Sequence, residues 1–131
     1  MVLESENNQR LLDPTKQQVF DALARLDGVG NSYAFLEDDS ESYIQVGGGP
    51  IEFTVEVRKT KSDGTFTHWK AELLKSKNYG ERNIIISGSV VRVKSNQILD
   101  KKNVKQLFEA FMDGDSFPNT VKWIDMTRMF I

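Results

Sequence analysis

The stretch that most restricts the fold is IEFTVEVRK followed by TKSDGTFTHWKAELL, residues 51–74. Ile51, Phe53, Val55 and Val57 share one parity, while Glu52, Thr54, Glu56 and Arg58 share the other. A period of two is the pattern of a half-buried strand. Asp63-Gly64 supplies the turn between two such runs. With the loop at Ser62-Asp63-Gly64, Val57 lies opposite Trp69, Val55 opposite Ala71 and Phe53 opposite Leu73. The same register sets Glu56 against Lys70 and Arg58 against His68. A slip of one residue would bring apolar and polar sets together, so the register is well specified. On this reading His68 is an ordinary residue on the solvent side of the hairpin.

The run Gly47-Gly48-Gly49-Pro50 just before it raises a second possibility, a loop that cradles phosphate. Such loops lead into a helix whose N-terminal amides hold the anion. Here a strand follows, and no loop lysine is present, so the glycines are read as a sharp or bulged connection.

The rest of the chain falls around this hairpin. Residues 1–12 are polar and expected to fray. DPTKQQVFDALARLDG predicts a helix capped by Asp13 and ended at Gly28, with Val19, Phe20, Leu23 and Leu26 on its apolar face. Ser32–Glu37 and Ser42–Val46 read as short strands joined by an acidic turn. Ile84-Ile85-Ile86 predicts a strand covered on both faces, with a bulge or break at Ser87-Gly88-Ser89. Asp100 caps a second helix carrying Val104, Leu107, Phe108, Phe111 and Met112, and Gly114 ends it. The tail PNTVKWIDMTRMFI fits a strand at Val121 and Trp123 and a helix at Trp123, Met126 and Phe130.

The expectation is an α+β fold: one domain over residues 1–131, with an antiparallel, mostly meander sheet of about five strands. An N-terminal and a C-terminal amphipathic helix cover one face of it. At 131 residues, 39% apolar and 27% charged, the chain can bury a core without covalent staples. The absence of cysteine removes disulfides and thiolate metal sites, and suits a cytoplasmic setting. No apolar run is long enough for a membrane span.

Charge is divided along the chain. Residues 1–57 hold 3 basic and 11 acidic residues, whereas residues 58–105 hold 12 basic and 4 acidic ones. Such asymmetry marks an interaction surface or two halves of one sheet that pair. Glu37, Asp38, Asp39 and Glu41 form the acidic candidate, a solvated hairpin tip suited to a protein partner. They lack the EF-hand spacing that calcium would require. Lys75, Lys77, Arg82, Arg92 and Lys94 form the basic candidate, suited to nucleic acid, with Trp69 or Tyr79 to stack on bases. A single histidine and no cysteine leave nucleophilic catalysis without its usual apparatus, and no cofactor or metal site is expected. A carboxylate-based enzyme site is the remaining catalytic alternative.

The phrases LARLDGVGNSYAFLE, SYIQVGGGPIEFTVEVR, LFEAFMDGD and VKWIDMTRMF resemble those of small bacterial immunity-type proteins, which are encoded beside polymorphic or contact-dependent toxins. The resemblance covers Val19 to Phe130. It implies a non-catalytic protein that binds another protein, a basic toxin domain among the possibilities.

Overall fold

The computed structural model describes residues 1–7, 9–74 and 80–131. Its centre is the hairpin of β5 (Phe53–Thr60) and β6 (Phe66–Leu73), in the expected register. Val57 pairs with Trp69, Glu56 with Lys70 and Arg58 with His68. The turn is closed by Lys61 N–H on the Thr65 carbonyl at 2.8 Å and Gly64 N–H on the Lys61 carbonyl at 2.9 Å, with Gly64 at φ 85°. The ladder ends sooner than expected on the Phe53 side. Phe53 exchanges backbone hydrogen bonds with Leu99 rather than Leu73, and Ile51, placed on the apolar face by alternation, is 75% exposed ahead of the strand.

Seven strands, not five, form the main sheet. β3 (Tyr33–Glu37) and β4 (Tyr43–Gly48) extend the meander, as read from sequence. The segment expected to fray instead supplies β1 (Val2–Ser5) and β2 (Arg10–Leu12). β1 lies between β2 and β3, burying Leu3 completely. Four residues with a single strongly apolar inward position are too few to display a period, which is why the strand escaped notice. β9 (Val121–Asp125) pairs with β6 and closes the order β2-β1-β3-β4-β5-β6-β9, antiparallel throughout. The ambiguous tail is both things in turn: β9, then a 3-10 turn over Thr127–Phe130.

Helices α1 (Lys16–Ala24) and α2 (Lys101–Asp113) share one apolar cluster with Leu3, Leu36, Ile44, Val46, Val55 and Val57 of the sheet. Neither helix is terminal, since β1 and β2 precede α1 and β9 follows α2. Thr15, not Asp13, caps α1: its hydroxyl accepts from Gln18 N–H while the Gln18 side chain accepts from Thr15 N–H, a reciprocal box. Asp100 caps α2 by accepting from Asn103 N–H at 2.8 Å. Asp100→Ala is expected to lower stability by about 1 kcal/mol in urea denaturation, the usual loss for a bare helix end.

The triple isoleucine departs furthest from expectation. Glu81–Ile86 (β7) and Ser89–Lys94 (β8) form a separate two-stranded ribbon joined by Ser87-Gly88, so the expected bulge or break is a hairpin turn. Only Ile84 is fully buried; Ile85 faces out beside Val90. The ribbon folds back over the second face of the main sheet. A Cβ on Gly47 would sit 2.5 Å from Ile86 Cδ1, and Ser87 N–H donates to Ser32 Oγ at 2.7 Å. The glycine run therefore turns the chain and also gives it room. Gly28, at φ 72°, lies so close that a Cβ there would collide with the Gly49 carbonyl oxygen. Backbone packs on backbone where α1 leads into β3.

Candidate functional site

The acidic corner predicted from sequence stands at the β3–β4 turn. Asp38 Oδ1 accepts from Ser40 N–H at 2.9 Å, Ser40 Oγ at 2.7 Å and Ser42 N–H at 3.1 Å, so this carboxylate builds the turn from inside. The neighbouring strand clamps it. Thr60 N–H donates to Ser42 Oγ at 2.9 Å, and Thr60 Oγ1 donates to the Glu41 carbonyl at 3.0 Å. Glu41 takes a left-handed backbone, φ 67°, within this clamp. Asp39 and Glu41 are exposed, and Glu37 is partly covered beside Tyr43 in the neighbouring strand. Three carboxylates thus surround a turn that the fourth holds rigid.

The basic candidate set is more dispersed. Lys75, Lys77 and the stacking candidate Tyr79 lie outside the described residues. Arg82 is ion-paired with Glu52 and Arg92 with Glu81, while Lys94 is exposed at the end of β8. Trp69 is partly buried on the helix side of the sheet, away from the ribbon that carries these cations. Two of the three described cations are thus paired with carboxylates.

His68 is the correction that matters most. Placed on the solvent side by alternation, it is 1% exposed. The register is as expected; the second face is covered. The 3-10 turn brings Phe130 onto the imidazole, ring centres 4.2 Å apart, and Met126 N–H donates to the His68 carbonyl at 2.7 Å. Thr127 Oγ1 accepts from His68 N–H at 3.0 Å. Arg58 Nε donates to His68 Nδ1 at 3.1 Å, so the hydrogen sits on Nε2, which donates to Glu56 Oε1 at 2.7 Å. The Arg58 guanidinium carbon is 3.9 Å from the centre of the Phe66 ring, 4.8 Å from Phe130 and 5.6 Å from Tyr43. Burial pushes the Tyr43 phenol above its ordinary range, with the Arg58 charge opposing that shift. The Asp125 carboxyl is held below the usual range, first by the Thr127 hydroxyl and then by its amide. A guanidinium among three rings, with an oriented imidazole and carboxylate, makes a latch for the C-terminal turn. Alternation shows which residues share a face but not what lies over that face. The sequence clue was the apolar tail, which needs a surface to cover.

Glu56, Gln45, Thr54, Tyr33, Phe35 and Ile86 line a cleft of about 130 Å³ between the latch and the ribbon. Among the described residues no group of three or more His, Cys, Asp or Glu side chains could hold a metal ion, and no helix is long and apolar enough to cross a membrane. No protein-family model matches the chain, and no curated protein matches it.

Proposed function

We propose that the chain is a non-catalytic protein-binding module whose partner presents a basic surface, in the manner of an immunity-type protein that neutralises a toxin domain. The observation that supports this is the pinned acidic corner. Three hydrogen bonds onto Asp38 and two from Thr60 order the turn before any partner arrives. Ordering a loop on binding costs affinity, so a preformed corner retains that free energy for contacts. Exposed carboxylates steer an oppositely charged partner and raise its association rate.

The corner also dictates how the test is built. Asp38 should be kept, because its loss would disturb the turn as well as the charge. The variant Glu37→Gln/Asp39→Asn/Glu41→Gln removes three charges and leaves the hydrogen bonds of the turn in place. A basic protein captured on the immobilised chain from its native cells, then purified, is expected to associate about tenfold more slowly with this variant at low salt. The gap should close as ionic strength rises. Equal association rates, or capture of no basic protein, would overturn the reading.

A further inference from the structure

On the helix-covered side of the sheet, beyond the reach of both helices, Val57, Lys59, Trp69, Phe117 and Trp123 line a cleft of about 230 Å³. Both tryptophans of the chain are in it. Trp69 pairs with Asp125 across β6 and β9, and Ala71 pairs with Trp123, so the two indoles stand on a diagonal of one antiparallel pair. Both indoles therefore border one stretch of the sheet surface, a lining that favours an aromatic ligand. Phe117 supports the far wall, its ring centre 4.9 Å from Trp123 at an interplanar angle of 50°. Each of the three aromatic side chains is only partly buried.

Charge selects among flat ligands. Lys59 is exposed at the rim and forms no ion pair among the described residues. Asp125, paired with Trp69 across the ladder, accepts from the Thr127 amide at 2.9 Å and the Thr127 hydroxyl at 2.5 Å. Bare indole faces alone would attract cations, but an ammonium at the mouth repels them and attracts anions. We infer that this cleft binds a small planar aromatic ring carrying an anionic group, packed against Trp69 and Trp123 with its charge toward Lys59. The site is separate from the acidic corner and does not depend on it.

The test uses the ¹⁵N-labelled full chain, 2-naphthoate, and the cation 2-naphthylmethylammonium. The two indole N–H signals report on the cleft alone, since no tryptophan lies elsewhere. Naphthoate is expected to shift both along one saturable curve, with the cation binding about tenfold more weakly. Lys59→Glu, an exposed change whose folding is checked by its remaining amide signals, should reverse that preference. Absence of saturation, a shift of one indole only, or equal binding of the two probes would overturn the inference. So would a preference unchanged by Lys59→Glu.

Discussion

Replacing His68 with alanine is expected to destabilise the chain by about 3 kcal/mol, against roughly ±0.5 kcal/mol for an exposed position. The imidazole is 1% exposed and bridges Arg58 at 3.1 Å and Glu56 at 2.7 Å. Its removal leaves a cavity beneath Phe130 and strips a hydrogen-bond partner from each of two charged groups. Urea denaturation of the variant measures the loss. Phe130→Ala removes the cover rather than the bridge, and should cost less, about 1 kcal/mol, because that ring is itself partly exposed. The two changes touch one latch, so their effects should not add. A His68→Ala loss within experimental error of zero would return the residue to the surface.

Gly28→Ala is expected to cost about 3 kcal/mol or more, enough to threaten a domain of ordinary stability. Two penalties coincide there. The backbone is left-handed at φ 72°, and the new Cβ would strike the Gly49 carbonyl oxygen, which belongs to backbone and has no rotamer to give way. Gly64→Ala separates the two. It is also left-handed, at φ 85°, but meets nothing within 4 Å, so strain alone should cost about 1 kcal/mol. Gly30→Ala, with neither problem, should be neutral or slightly stabilising. Denaturation midpoints for the three variants in that order check the explanation, and equal losses for Gly28→Ala and Gly64→Ala would refute the close approach.

How far the fold could be read from sequence depends on how local each determinant is. The β5–β6 register was legible because the Asp63-Gly64 turn and the alternation agree: Glu56 meets Lys70, Val57 meets Trp69, Arg58 meets His68. Helix α2 was legible for a similar reason, with Asp100 at its start, Gly114 at its end and apolar residues at the right spacing. For helix α1 the Asp13-Pro14 pair placed the cap too early; Thr15 is the cap because it forms a reciprocal box with Gln18. Strands β1 and β2 were too short to show a period. Ile84-Ile85-Ile86 looked like a strand buried on both sides because composition alone does not distinguish a central strand from a ribbon with one exposed isoleucine.

Sites followed the same division. The acidic corner was legible as a charge cluster, but the role of Asp38 as its internal support was not, since that depends on the backbone of Ser40 and Ser42. His68 was misread because its cover arrives from Thr127–Phe130, far along the chain. The Trp69–Trp123 cleft was hidden for the same reason: its walls come from β5, β6, β9 and the connection after α2. Glycines 47–49 lead into a strand as expected, yet their close contacts with Ile86 and Gly28 could not be seen before the ribbon and α1 were placed.

The account of the fold rests on the second face of the sheet being covered, by the ribbon at one end and the C-terminal turn at the other. Were that face open, its aromatic and charged side chains would be the natural binding surface instead. The chain has one histidine, so a long-range ¹H–¹⁵N spectrum of its imidazole reports on that closure without ambiguity. We predict a hydrogen fixed on Nε2, an Nδ1 that carries none and accepts from Arg58, slow exchange with solvent and proton contacts to the Phe130 ring. A ring exchanging freely with water, with hydrogen shared between both nitrogens and no contact to Phe130, would contradict it.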